Sequence, residues 1–424
     1  MIRLENPLEA WMGDIPSEWK KIRLKYLFQI KKDIAGRNGI TVLSVTQQGI
    51  IPKDMDAKGQ FASDYSKYQT VDKGDFVMNH MDLLTGWVDI SEYDGVTSPD
   101  YRVFECIESS KICAEYYKYL FQLCYKNRIF YGLGQGVSGF GRWRLPADMF
   151  LNFVLPIPEL SIQKRIADYL HCNISGIDSV IEGSKKTIQE YYELRNSIIT
   201  EIITKGVNES KEYQKTGKLW MPTIPSSYKL AKLKNLVDIT DGTHDTPSYV
   251  DVGENTFPLV TSRCIEDGYI NLSLANHISY EDYIEINKRS YVNKYDVIMP
   301  MIGTVGNPAL VRTDSKFAIK NVALFRTHGN ECLGKYVVYL LNSNIIKTQF
   351  ELGQRGGVQN FVSQDRLKNL VIPIPSDVTS IVNELDLKCE KINALINEKK
   401  DLLVELEAYK KTLIYEVITG KKEV

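Results

Sequence analysis

The 424-residue chain repeats itself, and this repeat constrains its fold more than any other feature of the sequence. The segment WMGDIP at 11–16 returns as WMPTIP at 220–225, a shift of 209 positions. The segment LPIP at 155–158 returns as IPIP at 372–375, a shift of 217 positions. Because the matches keep their order and their shifts are similar, the sequence predicts two copies of one structural unit.

Each copy begins with a part that mixes strand and helix signals. Residues 76–78 and 297–299 are short apolar runs entered from turn signals, and both are predicted to be buried strands. Residues 114–123 and 334–341 carry helical patterns. The mixture predicts a fold of the α+β class for the first part of each copy.

Each copy ends with a part of a different kind. Residues 163–205 and 378–419 contain no proline and little glycine, and their apolar residues recur in steps of three and four. This spacing predicts two long helices, each roughly 60 Å in length, with a narrow coiled-coil seam. The seam positions are Ile174, Ile177, Ile181, Ser184, Ile188, Tyr191, Arg195, Ile198 and Ile202 in the first helix, and Cys389, Ile392, Ile396, Lys399, Leu403, Leu406, Lys410, Leu413 and Val417 in the second.

The polar seam positions coincide between the copies, since Ser184 and Arg195 align with Lys399 and Lys410. A narrow apolar seam with charges on the other faces favours a partner helix, so we predict that the two helices pair and hold two globular domains apart. The alternative is that each helix packs on its own domain. The predicted segments are a first globular domain at 1–158, a central helix at 159–206, a second globular domain at 207–375 and a C-terminal helix at 376–424.

Motifs for catalysis and for cofactor binding are missing from the sequence. Five scattered histidines and seven scattered cysteines form no H-E-x-x-H or C-x-x-C pattern, so no metal site is expected. There is no phosphate-binding G-x-x-x-x-G-K-[ST] loop and no N-P-P-Y or D-P-P-Y segment. We therefore expect a chain without catalysis or cofactor of its own, and interpret His244 as part of a turn built on Asp241-Gly242. With no apolar run of membrane-spanning length, a cytoplasmic location is expected.

Basic residues concentrate near the end of each globular domain. Between positions 111 and 146, six basic residues face one acid, with aromatic residues between them. The net charge of −1 excludes a uniformly basic nucleic-acid coat but not local basic patches. A similar loop lies in both basic stretches, as GVSGF at 136–140 and as GVQNF at 357–361. The frame of the loop is kept while its polar residues differ.

This loop suits the recognition of base edges in DNA, because Arg can bind guanine and Gln or Asn can bind adenine in a bidentate manner. The alternative is a solvated turn with ordinary surface charge. The candidate DNA-binding residues are Gln135, Ser138, Arg142 and Arg144 in the first copy, and Gln354, Arg355, Gln359 and Asn360 in the second.

The layout resembles the specificity (S) subunit of type I restriction-modification enzymes, over the whole chain. The resemblance is carried by IPSEW at 15–19 and its copy IPSSY at 224–228, and by LPIP at 155–158 followed by Gln163. It is also carried by Ile166-Ala167, Leu170, Ile177-Asp178 and Ile181, and by DGTH at 241–244 and GTVG at 303–306. The first copy does not keep the segments DGTH and GTVG. The second copy has Val378 and Asn393 in place of Gln163 and Asp178.

The resemblance implies that each globular domain is a target recognition domain for one half of a bipartite, asymmetric site in double-stranded DNA. It implies an antiparallel coiled coil that fixes the gap between the half-sites. Two methyltransferase subunits would dock on the chain, and restriction subunits would join them. S-adenosylmethionine, ATP and Mg²⁺ would bind to these partners, which carry adenine-N6 methylation and DNA cleavage.

Two other interpretations fit the same sequence. One is a stand-alone, sequence-specific DNA-binding regulator with a coiled-coil spacer, which needs no enzyme partners. The other is the specificity chain of a type IIB-like enzyme, in which methylation and cleavage are fused in the partner. A methyltransferase encoded next to this chain would favour a specificity subunit.

Overall fold

The computed structural model describes residues 8–54, 64–136, 143–207, 212–302, 305–352 and 361–424. The chain folds into two compact units, residues 1–184 with 401–424 (the first unit) and residues 185–400 (the second unit). The strands and helices up to the end of the first long helix are β1 (Lys20–Arg23), β2 (Phe28–Lys31), β3 (Leu43–Thr46), β4 (Gly49–Pro52), β5 (Gln69–Val71), β6 (Phe76–Met78), β7 (Val88–Ile90), β8 (Gly95–Thr97), β9 (Arg102–Cys106), α1 (Ala114–Lys126), α2 (Ile129–Gly132), α3 (Ala147–Asn152), β10 (Val154–Ile157) and α4 (Leu160–Lys205).

The elements after α4 again run from strands and helices to a last strand that leads into a long helix. They are β11 (Tyr213–Lys218), β12 (Met221–Pro225), β13 (Lys229–Lys232), β14 (Asp238–Asp241), β15 (Thr256–Val260), β16 (Ile265–Glu266), β17 (Tyr269–Ile270), β18 (Asn276–Ser279), α5 (Tyr280–Ser290), β19 (Val297–Pro300), β20 (Ala309–Leu310), β21 (Ala318–Ile319), β22 (Val322–Arg326), α6 (Glu331–Asn342), α7 (Asn344–Leu352), α8 (Gln364–Lys368), β23 (Val371–Ile374) and α9 (Val378–Ile418).

The repeat seen in the sequence is also a repeat of sheet topology. The first unit has a four-stranded sheet in the order β2-β9-β6-β7, and the second has one in the order β14-β22-β19-β20. All neighbours in these two sheets are antiparallel. The strand before each sheet pairs with the strand that leads into a long helix, as β1 with β10 and β13 with β23. The two copies therefore share one α+β architecture.

Aromatic rings form the core of the first unit between its four-stranded sheet and α1. Phe28, Phe76 and Phe104 from the sheet are almost fully buried and contact Phe121 of α1, with ring centroids 5.5 to 5.7 Å apart. The neighbouring residues Val77 and Val103 point to the opposite face of the sheet and are buried there in a second, smaller hydrophobic cluster. The corresponding core of the second unit has Phe325 with smaller aliphatic residues and Tyr336 of α6.

The two long helices pack against each other in the first unit. The start of α4, at Ile166 and Leu170, lies in one hydrophobic core with the end of α9, at Leu413 and Val417. Asp178 of α4 accepts a hydrogen bond from the ammonium group of Lys410. The start of one helix therefore meets the end of the other, which is an antiparallel arrangement.

The second unit pairs the other halves of the same helices. The end of α4, at Ile199 and Ile202, shares a core with the start of α9, at Ile381 and Leu385. Arg195 Nη1 donates to Asn393 Oδ1 across a distance of 2.8 Å. The pairing is again antiparallel.

The two polar contacts of the paired helices are related by the internal repeat. A shift of 215 positions converts Asp178 into Asn393 and Arg195 into Lys410. The contact between Asp178 and Lys410 therefore recurs as the contact between Asn393 and Arg195, with the helices exchanged. A polar group at a coiled-coil seam favours the one register that pairs it, so these contacts help fix the alignment of the helices.

Most of the predicted elements are confirmed. The predicted strands at 76–78 and 297–299 are β6 and β19, and the predicted helices at 163–205 and 378–419 are α4 and α9. Pairing of the long helices is confirmed, but the ends of both helices also pack on globular cores. The limits of the four predicted segments stay a prediction. In the part of the chain that the structure describes, no helix is both long and apolar enough to cross a membrane.

Candidate nucleic-acid interface

One end of each four-stranded sheet anchors a loop that the sequence singled out. In the first unit, Leu145 N donates to His80 O, just beyond the end of β6, across 2.9 Å. In the second unit, Val362 N donates to Met301 O, just beyond the end of β19, across 3.0 Å. Residues 137–142 and 353–360, which precede these anchors, lie outside the described residues. The residues that follow the two candidate loops are thus held at equivalent places in the two units.

The first loop edge comprises His80, Arg102, Gln135, Arg144 and Leu145. Gln135 N donates to Arg144 O across 2.8 Å, and Arg144 N donates to Gln135 O across 3.1 Å. These two candidates are brought together at the base of the loop, and both are exposed. The other two candidates in this copy, Ser138 and Arg142, lie outside the described residues.

Packing of Trp143 against the end of α2 and against Gly134 holds the base of this loop in place. Trp143 Nε1 donates to Tyr131 O across 2.7 Å. Gly134 lies directly beneath this indole, and a side-chain carbon at position 134 would collide with the Trp143 ring and with Leu83. The small residue is needed here because the backbone approaches an aromatic ring closely.

The guanidinium groups of Arg102 and Arg144 are the two positive charges of the first loop edge. Arg102 is 5% exposed, and its Nη2 donates to Leu145 O across 2.9 Å. Burial lowers the pKa of Arg102 to about 10, so its guanidinium stays charged. Burial and the charges of Arg102 and Arg144 lower the pKa of His80 to about 4, so that the imidazole is neutral. The edge suits an anionic partner such as DNA.

Several of the basic residues noted in the sequence have other roles. Lys118 forms an ion pair with Glu115 on α1, and Lys335 of α6 donates to Asp386 of α9 across 2.9 Å. Arg366 donates to backbone carbonyl groups at the end of α7. These contacts assign the three cations to the support of the fold, although the sequence pattern gave them the same weight as Arg144.

The second loop edge comprises His244, Met301, Asn321, Phe361 and Val362. Ile302 pairs with Phe361, the last residue of the predicted GVQNF loop. Met301 N donates to Asn321 O across 3.3 Å, and Asn321 N donates to Thr243 O across 3.1 Å. The four candidates of this copy, Gln354, Arg355, Gln359 and Asn360, lie outside the described residues.

A charged network lies beside this second loop edge, and the sequence did not predict it. His244 Nδ1 is 2.9 Å from Asn321 Oδ1, and His244 Nε2 is 3.0 Å from Asp241 Oδ2. Arg289 of α5 donates to Asp241 Oδ1 across 3.1 Å. Hydrogen bonds to Asn321 and to Asp241 raise the pKa of His244. The sequence singled out the segment DGTH at 241–244. It did not indicate Arg289 and Asn321, because these partners of Asp241 and His244 are distant in sequence.

The interpretation of Asp241-Gly242 as a turn is wrong. Thr243 N donates to Ile319 O across 3.0 Å, so that the segment continues β14 in an extended conformation beside residues 319–322. A side-chain carbon at Gly242 would collide with the carbonyl group of Ile319. Close approach of two backbones, and not a reversal of the chain, explains the glycine.

Comparison with known proteins agrees with this architecture. Residues 16–190 match the family model described as type I restriction modification DNA specificity domain. The type I restriction enzyme MjaVIII specificity subunit of Methanocaldococcus jannaschii is 23% identical over 437 residues, which cover 98% of this chain and 96% of that protein. The type I restriction enzyme EcoBI specificity subunit of Escherichia coli is 23% identical over 259 residues, which cover 58% of this chain and 54% of that protein.

A solved structure shares the fold. It comes from work on complex assembly and conformational transition of the type I R-M system, and it superimposes with a TM-score of 0.65 at 15% sequence identity. The superposition covers 96% of this chain and 98% of the other. The matched domain, and a relative that aligns over nearly the whole sequence, make this chain similar to the specificity subunits of type I restriction-modification enzymes.

Proposed function

We propose that the chain is the DNA sequence-specificity subunit of a type I restriction-modification complex, and that each globular domain recognises one half of a bipartite, asymmetric DNA site. The observation that carries this proposal is the pair of equivalent loop edges. Both lie at the same end of sheets with the same strand order, yet they present different side chains. Equivalent positions with different chemistry suit two half-sites of different sequence.

The stand-alone regulator and the type IIB-like chain are not favoured. The matched domain and both relatives are named for type I restriction systems. Under our proposal, two methyltransferase subunits and restriction subunits assemble with the chain. These partners bind S-adenosylmethionine, ATP and Mg²⁺ and perform adenine-N6 methylation and cleavage. This chain recognises the DNA sequence at which they act.

The antiparallel helices are proposed to set the gap between the half-sites. In each unit the globular core includes residues of both α4 and α9, so the helices and the sheet are parts of one hydrophobic core. A recognition domain fixed in this way has a defined position along the helix pair. The polar contacts of Asp178 with Lys410 and of Arg195 with Asn393 support one register of the helices.

The pure chain is expected to transfer no methyl group to DNA, because methyl transfer belongs to the partners in this proposal. The measurement is incubation of the chain with labelled S-adenosylmethionine and DNA, with and without a co-expressed methyltransferase partner. The complex should label DNA at one gapped motif. Label transfer by the chain alone, or a complex whose motif is unaffected by which specificity chain is present, would contradict the proposal.

Replacing Arg144 by alanine is expected to relax the base preference at one position of one half-site. A bidentate arginine contact with a base provides about 1–3 kcal/mol of discrimination. Sequencing of methylated bases in DNA treated with the assembled complex measures this preference. The matched control is Lys111→Ala, which removes an exposed cation of the same unit that pairs with Glu108. If both variants give the wild-type motif, Arg144 is not a base contact.

A further inference from the structure

The imidazole of His244 lies between two oxygen atoms. Its Nδ1 is 2.9 Å from Asn321 Oδ1, and its Nε2 is 3.0 Å from Asp241 Oδ2. A carboxylate oxygen and an amide oxygen can only accept hydrogen bonds. With Oδ1 of the Asn321 amide facing the ring, both contacts are hydrogen bonds when both ring nitrogens carry a proton, which is the imidazolium form.

The charges around His244 are compatible with this cation. Asp241 faces it from the end of β14, and Arg289 of α5 neutralises part of that carboxylate through the other oxygen, 3.1 Å away. The hydrogen bonds to Asn321 and Asp241 raise the pKa of His244, whereas the charge of Arg289 lowers it. The net shift is upward, so the cation persists to a higher pH than that of a free histidine.

The contact with His244 fixes the amide of Asn321. Because Oδ1 is turned toward the imidazolium, the NH₂ group of the amide is turned away from it. Within the part of the chain that the structure describes, this NH₂ group donates to no other side chain or carbonyl group, and Asn321 is partly exposed. The amide therefore offers an oriented donor, with a second acceptor site on Oδ1.

The backbone places Asn321 at the second loop edge. Its φ of 57° is in the left-handed region, which asparagine adopts more readily than most residues. Its carbonyl accepts from Met301 N across 3.3 Å, and Met301 O accepts from Val362 N across 3.0 Å. Asn321 is thus two backbone contacts from the position at which the predicted DNA-binding loop ends.

We propose that Asn321 contacts an adenine base in the half-site of the second domain, and that His244 is the positioning residue which decides the orientation of its amide. An amide can donate to adenine N7 and accept from N6–H, but only when its donor and acceptor lie in the matching places. The inference rests on the proposed function of the chain, and it adds a base contact outside the loops that the sequence indicated.

Loss of the His244 proton turns the amide. The neutral ring keeps the proton on Nε2, where Asp241 accepts it, and Nδ1 then becomes an acceptor. The NH₂ group of Asn321 rotates by about 180° to donate to Nδ1, because two acceptors cannot share a hydrogen bond. The exposed edge then presents its acceptor and donor in exchanged places, and it no longer matches N7 and N6–H of adenine.

Three substitutions separate these roles. Asn321→Gly removes the amide but tolerates the left-handed backbone. His244→Leu removes the group that orients the amide. His244→Asn keeps a donor for Asn321 Oδ1 at every pH, because the amide NH₂ does not titrate in this range. All three are studied in the complex assembled with the methyltransferase partner, so the chain is tested in its complete form.

The readout is the ratio of binding to DNA duplexes that differ only at one base pair of the second half-site. Asn321→Gly is expected to reduce discrimination for adenine at one position by roughly 5- to 150-fold, the range of a lost bidentate contact. His244→Leu should reduce it in the same direction, and His244→Asn should restore it. Wild-type discrimination after Asn321→Gly would overturn the proposal, and so would an equal loss in both His244 variants.

The pH dependence provides a second test. For the wild-type complex, discrimination for adenine should be complete near pH 6 and should fall as the pH rises through the raised pKa of His244. The His244→Asn complex should discriminate equally from about pH 6 to about pH 9. A ratio of two affinities is used because general electrostatic effects of pH on DNA binding cancel. The same fall in both complexes would contradict the role of His244.

An exchange of residues 207–375 with those of a related specificity chain distinguishes a wrong assignment of Asn321 from a wrong proposed function. If the exchange changes one half-site but Asn321→Gly does not, only the assignment of Asn321 is wrong. If the exchange also leaves both half-sites unchanged, the proposed function itself is wrong.

Discussion

A heptad inserted into each long helix is expected to abolish recognition of the original gapped site. The insertion sites are the Ser184-Lys185 bond of α4 and the Leu403-Val404 bond of α9. Seven residues inserted at both bonds preserve the coiled-coil phase. Each helix then lengthens by about 10 Å. That length corresponds to about three base pairs of B-DNA, at about 3.4 Å per base pair.

Three base pairs also turn the duplex by about 100°, since B-DNA has roughly 10–10.5 base pairs per turn. The new site should therefore have a longer gap if the complex can adapt to this rotation, and no efficient site otherwise. Sequencing of methylated bases measures both outcomes. The sequence of each half-site is the internal control, because the insertion touches neither loop edge. Methylation of the original gapped motif at full strength would show that the helices do not set the spacing.

Replacing Phe104 by alanine is expected to lower the free energy of unfolding of the first unit by about 3–5 kcal/mol. Phe104 is fully buried, and its ring lies 5.0 Å from Phe76, 5.5 Å from Phe121 and 5.1 Å from Phe150. The substitution leaves a cavity at the junction of sheet, α1 and α3. Phe104 and Arg102 both belong to β9, and Arg102 is part of the first loop edge. Recognition of one half-site should therefore also weaken.

Tryptophan fluorescence during urea unfolding measures this loss, because four of the five tryptophans belong to the first unit. The control is Phe361→Ala, whose side chain is 50% exposed in the second unit and whose loss should change stability little. A cost below about 1 kcal/mol for Phe104→Ala would contradict the packing described for this core.

The long helices and the repeat could be predicted because their signals are local and periodic. Ile166, Leu170 and Ile181 repeat at helical spacing, and the same spacing returns at Ile381, Leu385 and Ile396. The pairing of Asp178 with Lys410 was not predictable in the same way. It depends on the direction and register of two segments that are far apart in sequence, and periodicity specifies neither.

The candidate site was predicted only in part. The sequence indicated Gln135 and Arg144, and the structure brings them together by two backbone hydrogen bonds. It did not indicate Asn321 or Arg289, which meet His244 and Asp241 only after β14 and β22 pair and α5 packs beside them. A lone DGTH segment cannot reveal such partners, since the glycine suits a turn as well as the extended backbone that the structure contains.

The central claim is that each globular domain specifies one half-site independently of the other. The most direct measurement is the methylated motif of a complex in which residues 207–375 are exchanged for those of a related specificity chain. We expect that one half-site changes to that of the related chain, while the other half-site and the gap are retained. A motif in which both half-sites change, or neither, would contradict it.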